Sequence, residues 1–522
     1  MVGGCAPAGS PAGRGAARFV RLGVIAVPTL LALVLAAIDL GGRSLWLDES
    51  ASFSVAAQHG SALTAAMARD GGNMFGYYAL LHVLVDWFGS GTLVLRAPSV
   101  VGCAAATACV GLLAERLFGR RAALAAGVLA AVSLPAVFWG QDARSYALMM
   151  AFVAASYLGF VALVDAAPGG RRRAWVGYVV ATTLALYMSF VAVLVIPAQL
   201  VALAYSRRRV RPVVSALVAV ACLSAPLAVL AAARGSGQLF WVPRPSLTGL
   251  GQVLVALTSA GFQPNFHLGP TAVPLEVATL VAFAVGIGFL VVRLVADRSA
   301  ARAWGESVIC GWLVVPFVLA LVESFLAQPT FTARNLLVSL PAAAVVLGRV
   351  LADRRVPRVA AAGLVACFVG LRAAQLAPSY GVSPENWRAA TADVLAAVRP
   401  GDCIAFYPQD GKMAFTYYLD HGARVTVALP RPVLPTTPLR RVVPYLERYA
   451  TLGSRQAARV AALCPRLWLV ASHEGAAHGP ATSVANYRRY LRLRADLASR
   501  YPRRFSRSFG WASPVRVELF AR

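Results

Sequence analysis

The chain has 522 residues, of which 58% are hydrophobic and only 14% charged, with a mean hydropathy of +0.65. A soluble domain is about half apolar and about a quarter charged, so the composition excludes an ordinary soluble protein and reads as an integral membrane protein. The net charge of +27, from 49 basic and 22 acidic residues, would suggest nucleic acid in a soluble chain. Here the arginines fall in short clusters between apolar runs, as in cytoplasmic loops, and no nucleic-acid partner is expected.

A membrane crossing needs about 20 apolar residues. In chain order the candidates are residues 22–38, 97–113, 122–139, 146–164, 212–233, 273–292, 308–327, 335–351 and 359–375. Arg14, Arg18 and Arg21 precede the first run, but no small-residue cleavage site follows, so it reads as a retained anchor. The run 174–205 is too long for one crossing, since it would reach about 48 Å against a core of about 30 Å. The clusters "FGRR" (118–121), "RRR" (171–173), "RRRVR" (207–211), "RLVADRSAAR" (293–302) and "DRRVPR" (353–358) all belong on the cytoplasmic side. Those at 171 and 207 share a side only if 174–205 crosses twice. That gives about 11 transmembrane helices in the cell membrane, with the N-terminus cytoplasmic and the C-terminus extracytoplasmic.

Between the first two crossings, "ASFSVAAQHGSALTAAMARD" and "FGYYALLHVLVDWFG" have helical apolar periodicity but are too short or too polar to span. They read as amphipathic helices of an extracytoplasmic loop, 41–91, lying on the outer surface. "PSLTGLGQVLVALTSAG" (245–261) reads as another, with a reentrant or twelfth crossing as its alternative. The membrane domain is expected over 1–376.

Residues 377–522 read as a soluble, extracytoplasmic α/β domain. Strands are predicted at "DCIAFYP" (402–408), "RVTVAL" (424–429), "RLWLVASH" (466–473) and "VRVELFA" (515–521). Helices are predicted at 385–398 and 486–501. Five of the eight cysteines lie in apolar runs and behave as small hydrophobes. Cys403 would sit on the first strand and Cys464 just before the third, as a disulfide if those strands are neighbours or else as two buried thiols. No C-x-x-C occurs, so a zinc or redox motif is not supported.

Four constellations then collect on one side of the membrane: Asp48 and Glu49 after the first crossing, Gln141, Asp142, Arg144 and Tyr146 between the third and fourth, Arg334 and Asn335 at the tenth, and "NMFGYYALLH" with Tyr77 and His82 in the first loop. Singly, each has a plain structural reading: a solvated acid pair, an ion pair capping a helix, a snorkelling arginine, a packed histidine. Together on one face they are candidates for chemistry, because ionisable groups at membrane level are costly unless used or paired.

The stretches "LWLDES", "GGNMFGYYALLHVLVDWFG", "LRAPSVVG", "QDARSYAL" and "FTARNLLVSLP" resemble the C superfamily of membrane glycosyltransferases (GT-C). The resemblance is to the group of protein O-mannosyltransferases and lipid A aminoarabinose transferases, in its actinobacterial mannosyltransferase branch. Many relatives have His-Pro-Pro-Leu-Tyr where this chain has "GNMFGYY", and Arg-Tyr-Leu where it has "RNL"; these departures bear on substrate identity.

The resemblance implies transfer of a sugar of mannose or arabinose type from a polyprenyl-phosphate donor to an extracytoplasmic hydroxyl of a glycan, lipid or protein acceptor, with inversion. It places the general base at Asp48, with Glu49 orienting it or meeting the acceptor. Arg144 and Arg334 would bind the leaving phosphate, helped by Tyr146 and by Lys412, the single lysine. Asp142 would hold Arg144 or contribute to a divalent cation site, which is left open. A transporter or flippase for a lipid-linked sugar is the alternative. It would favour internal repeats and polar residues near the bilayer midplane, and the sequence has neither.

Overall fold

The computed structural model describes residues 11–235, 242–258, 272–296, 303–422, 428–511 and 513–522. The first half is helical throughout. Helix α1 (Pro11–Ala37) leads to three shorter helices, α2 (Leu47–Ala56), α3 (Gly60–Arg69) and α4 (Phe75–Phe88). Next come α5 (Thr92–Phe118), α6 (Arg120–Ala131), α7 (Leu134–Gly140), α8 (Tyr146–Val164), α9 (Arg171–Met188), α10 (Val195–Tyr205) and α11 (Arg211–Arg234). The remaining helices of the bundle are α12 (Leu247–Thr258), α13 (Ala272–Ala296), α14 (Trp304–Leu326), α15 (Ala333–Leu336), α16 (Leu340–Leu351) and α17 (Arg358–Ser379).

Among the described residues, six helical stretches are long and apolar enough to cross a membrane: α5, α8, α11, α14, the stretch Ala333–Leu351 and α17. The pair α6 and α7, bent by 57°, makes a seventh if it is one crossing. The expected crossings at 22–38 and 273–292, and the second half of the run 174–205 (Phe190–Tyr205), are present as helices with shorter apolar stretches, so length and apolarity alone do not yield eleven. The arginine cluster at 293–302 lies largely outside the described residues.

The long run 174–205 folds back on itself. Its helix stops at Ser189, an extended residue (φ −164°, ψ 138°). The Tyr178 hydroxyl donates to Gln199 Oε1 at 2.6 Å although the two are 21 positions apart. On a straight helix they would be about 31 Å apart, so α9 and α10 form a hairpin. Gln199 Nε2 also reaches Ser156 on α8, and Ser156 pairs with Thr182 on α9. This buried polar cluster satisfies its own groups, as an apolar surround demands.

The first loop differs in detail from its expected form. "ASFSVAAQHGSALTAAMARD" is two helices rather than one, broken between Ala57 and His59, and the first begins at Leu47. Asp48 and Glu49 therefore occupy the first helical turn, where acids complement the exposed N–H groups. The segment 245–261 is represented by α12, which sits beside α13 and α15.

After α17 the chain forms an α/β unit with helices α18 (Trp387–Ala397), α19 (Gly411–His421), α20 (Ser454–Leu463) and α21 (Ala481–Ala498). Its strands are β1 (Cys403–Tyr407), β2 (Arg431–Leu434), β3 (Arg466–Ala471), β4 (Arg503–Phe509) and β5 (Val515–Ala521), in the order β2-β1-β3-β5-β4. Pairing is parallel on both sides of β1 and antiparallel on both sides of β5. The central strands β1 and β3 are almost wholly buried, as parallel strands covered on both faces are. The strand expected at 424–429 lies mainly outside the described residues; the described edge strand there is β2. β4 was not expected, because "RRFSRSF" carries charge in place of apolar alternation. It is an exposed edge strand, where charge guards against stray pairing. Strands β1 and β3 are neighbours, and Cys403 and Cys464 are joined by a disulfide with Cα atoms 5.8 Å apart.

The α/β unit packs directly on the turn leading into α2. Ser44 N donates to Ser383 Oγ at 2.9 Å, Leu47 N to Glu385 Oε2 at 3.1 Å, and Arg388 to the carbonyls of Gly41 and Gly42. The helix bearing Asp48 is thus held from the bundle on one side and from the sheet unit on the other.

Candidate active site

Successive residues of a helix point about 100° apart, so Asp48 and Glu49 face different surroundings. Asp48 faces a cleft, its side chain 28% exposed. Its Oδ2 accepts from Arg334 Nη1 at 2.8 Å and lies 3.9 Å from Arg144 Nη2. Arg144 is tied further to the same turn, through Nη1 to the Asp48 carbonyl at 3.3 Å and to Ser52 Oγ at 3.4 Å. The Arg334 guanidinium lies 5.1 Å from the centre of the Trp46 ring, and that of Arg144 lies 5.9 Å from the Tyr146 ring. Burial by itself would raise the Asp48 carboxyl, but the charges of Arg334, Arg144 and His473 outweigh it and hold it below the usual carboxylate range.

Glu49 turns inward and is almost completely buried. Arg96, at the start of α5, grips it through two bonds, Nε to Oε1 at 2.7 Å and Nη2 to Oε2 at 2.8 Å. Glu49 also accepts from Ala143 N at 2.8 Å and Trp46 N at 3.3 Å. Burial works against its charge, and Arg96 more than compensates, leaving the carboxyl lowered. The expectation that Glu49 orients Asp48 or meets an acceptor is therefore corrected: its lone pairs are committed to a buried bidentate pair that locks α2 to α5 and to the turn before α8.

Asp142 does not hold Arg144. Its Oδ1 accepts from Trp46 Nε1 at 2.7 Å, and burial followed by the charge of Glu49 pushes the carboxyl well above the usual range. Gln141 is structural as well, Nε2 donating to the Ile38 carbonyl at 2.6 Å while its own carbonyl accepts from Arg43. Tyr146 packs against Trp139, with ring centres 4.5 Å apart, beneath Arg144. Tyr77 donates to the Leu95 carbonyl at 3.4 Å, and His82 Nδ1 lies 2.7 Å from the Ala56 carbonyl, fastening the far end of α2. Lys412 is buried on α19 and donates to the Arg441 carbonyl at 2.6 Å; burial lowers its ammonium to about 8. The expected phosphate role for Lys412 is corrected to an anchor of the segment around Arg441.

The divalent cation left open by the sequence finds no matching donor set. Among the described residues no three His, Cys, Asp or Glu side chains converge. Asp48 is flanked by two guanidinium groups and Asp142 is turned onto an indole.

Several groups at the site were not singled out from sequence. Arg96 lies in an apolar run, and its partner is 47 positions away. Asp70, at the end of α3, accepts from the Tyr78 hydroxyl at 3.1 Å. Burial raises Asp70 to about 7, opposed chiefly by Arg144. Glu385 reaches in from the α/β unit. Its Oε2 accepts from Leu47 N and, at 2.8 Å, from Trp387 Nε1, and its Oε1 lies 3.3 Å from His473 Nε2. Arg96 belongs to the stretch "LRAPSVVG", which does not mark its partner, and Asp70 and Glu385 carry no local motif; only the tertiary fold gathers them around α2.

Two residues beyond Arg334, Leu336 lines an apolar cavity of ≈ 360 Å³ formed with Leu254, Phe283, Leu313, Phe317 and Leu340. The ionised carboxylate and its two arginines therefore stand beside a cavity suited to a hydrocarbon chain.

The family model for dolichyl-phosphate-mannose-protein mannosyltransferase matches residues 74–231. No curated protein matches the chain by sequence. Among solved structures the fold matches ArnT from Cupriavidus metallidurans in the apo state, with a TM-score of 0.57 and 15% identity over 95% of this chain and 98% of that one. The same enzyme bound to undecaprenyl phosphate gives 0.54, with 14% identity over 95% and 98%. The archaeal oligosaccharyltransferase AglB from Archaeoglobus fulgidus, in complex with an inhibitory peptide and a dolichol-phosphate, also gives 0.54, with 13% identity over 88% and 70%. The resemblance read from the motifs is borne out, and the chain has the polytopic helical fold of these membrane proteins.

Proposed function

We propose that this protein transfers a sugar, of mannose or arabinose type, from a polyprenyl-phosphate donor to a hydroxyl of a glycan, lipid or protein acceptor. The observation that carries the reading is the Asp48 carboxylate held between Arg144 and Arg334 beside an apolar cavity. The family match and the undecaprenyl phosphate and dolichol-phosphate bound by proteins of similar fold support it.

The hydrocarbon chain of the donor lies in the apolar cavity, and its phosphate meets the guanidinium groups of Arg334 and Arg144. The acceptor hydroxyl approaches Asp48 from the water side. Asp48 removes its proton as the acceptor oxygen attacks the anomeric carbon from the face opposite the phosphate. The anomeric C–O bond breaks, the electron pair leaves on the lipid phosphate, and the configuration inverts. The two arginines stabilise the charge gathering on that phosphate, which is where fixed cations lower a barrier most. Trp46, buried against Arg334 with its Nε1 on Asp142, holds the turn that presents Asp48.

This chemistry belongs outside the cytoplasm of the cell, with residues 377–522 as an extracytoplasmic domain over a membrane domain of residues 1–376. A reporter fused after Gly401 will report the outer side, and a cytoplasmic signal there overturns the orientation. For the reaction, purified protein is incubated with a panel of labelled polyprenyl-phosphate sugars. Transfer or slow hydrolysis of one donor is expected, lost in Asp48→Asn; a panel left wholly intact and unbound rejects the reading.

A further inference from the structure

Helix α17 is largely exposed on the surface of the bundle; its buried residues are Arg372, Gln375 and Leu376. Arg372 is 2% exposed in a helix long and apolar enough to cross a membrane. Its hydrogen-bond partners are neutral: Nη1 donates to Gln375 Oε1 at 2.6 Å and Nη2 to Thr279 Oγ1 at 3.3 Å. Its guanidinium also lies 4.7 Å from the centre of the Phe368 ring. Nε is buried with no hydrogen-bond partner, and among the described residues no carboxylate pairs with the group. Every other deeply buried arginine or lysine at the site above has an acid or a carbonyl against it. A full positive charge in a spanning segment without a counter-charge is costly, and such residues mark ion or ligand sites.

Arg372 also lines a cavity of ≈ 40 Å³ between α5, α6, α13, α16 and α17, with Thr107 and Ser133 as its other polar walls. A volume of that order admits a small head group or a few waters, not a sugar. Four of its walls, Leu257, Phe283, Leu340 and Ala343, are shared with the apolar cavity that starts at Leu336. The two cavities therefore adjoin, the larger one apolar and the smaller one with Arg372 in its wall. Arg372 lies seven residues before Ser379, about 10 Å along the axis from the end of α17.

We infer that Arg372 is the anchor of a second lipid-phosphate site, apart from the arginines at Asp48, for a membrane lipid whose tail enters the adjoining apolar cavity given above to the donor chain, so that this lipid and the donor bind in turn and not together. The guanidinium supplies the counter-charge and at least one N–H, from Nε, to phosphate oxygens, the pairing that arginine geometry favours. Ser133 offers a hydroxyl donor from another wall, while the Thr107 hydroxyl is already donated to the Cys103 carbonyl at 3.1 Å. Two sources share this chemistry, a polyprenyl monophosphate and an ordinary phosphodiester lipid.

The test is native mass spectrometry of the full-length protein in the Arg144→Ala/Arg334→Ala background, so that the cleft at Asp48 does not contribute and the result does not depend on the proposed reaction. A polyprenyl monophosphate, phosphatidylglycerol and inorganic phosphate are titrated separately. One phosphate-bearing lipid per chain is expected, weakened about tenfold or more by Arg372→Gln and less by Arg372→Lys, which preserves the charge but not the planar fork. Ala106→Leu fills the cavity without touching Arg372 and should weaken binding equally. Retention of the polyprenyl monophosphate alone identifies the site as a carrier station, and retention of phosphatidylglycerol alone as a structural lipid site. Lipid retention in Arg372→Gln and Ala106→Leu unchanged from the parent background, binding of inorganic phosphate only, or no lipid retained overturns the inference.

Discussion

Arg334 donates to the carboxylate of Asp48 at 2.8 Å, across 286 positions of sequence. The contact joins the first turn of α2 to the start of α15 and sets the ionisation of the group proposed as the base. The carboxyl is held low, so the unprotonated form persists down to and below the ordinary carboxyl range near about 3.9. The acid limb of the rate profile is therefore expected below that range in the parent protein. Arg334→Gln should move it to higher pH and weaken donor binding about 10- to 100-fold, since a charge-assisted bond contributes about 1.5–3 kcal/mol. Initial rates from pH 3 to 8 check this, and an unmoved acid limb removes Arg334 from that role.

Asp70 gives a second pH dependence of opposite character. Burial raises it to about 7, and Arg144 is its main opposing charge. Below that value Asp70 is neutral and Arg144 is available to a phosphate. As pH rises through about 7, Asp70 ionises and competes for the same guanidinium. Donor affinity is thus expected to fall from pH 6 to 8 in the parent and to stay flat in Asp70→Asn. Equilibrium binding of a polyprenyl-phosphate sugar at several pH values measures it.

The Glu49–Arg96 pair is predicted to govern stability rather than chemistry. Both side chains are about 2% exposed or less, so removing one partner strands a buried charge at about 3–5 kcal/mol. Glu49→Ala and Arg96→Ala should each lower the melting temperature markedly in detergent. A double variant with apolar residues of similar size should recover part of the loss. If Glu49→Gln kept its melting temperature and lost only turnover, the structural assignment would be wrong.

Glu385 ties the α/β unit to the helix that carries Asp48. Glu385→Ala leaves Leu47 N–H and Trp387 Nε1 without their acceptor, a loss of about 1–3 kcal/mol for each buried donor left unmade. Lower stability and lower turnover at unchanged donor affinity are expected, because the displaced group is Asp48 and not the arginines. His473→Gln removes one of the charges that lower Asp48 and should shift the acid limb upward by less than Arg334→Gln does. Thermal melts and rate profiles of both variants decide the point.

The helical membrane class was legible in the sequence, because an apolar run of span length has few other ways to satisfy its backbone. The hairpin in 174–205 followed from charge and length, and the contact of Tyr178 with Gln199 bears it out. Strands β1, β3 and β5 were legible from their apolar residues, whereas β4 was hidden by its arginines. For the site, the residue types and their order pointed to Asp48, Arg144 and Arg334, and these three do meet.

Other assignments could not be read locally. Two adjacent acids look equivalent in a string, but a helical turn sends Asp48 to the cleft and Glu49 into the core. Asp142 and Arg144 look like a pair, yet Trp46 claims the first and Asp48 the second. Lys412 looks available, yet burial against Arg441 commits it. By itself the sequence determined which segments are apolar enough to be helices in a membrane and which polar residues are too costly to be there idly. Only the tertiary structure decided the partner of each charge, because partners 47 or 286 positions apart are chosen by packing and desolvation rather than by neighbours in the chain.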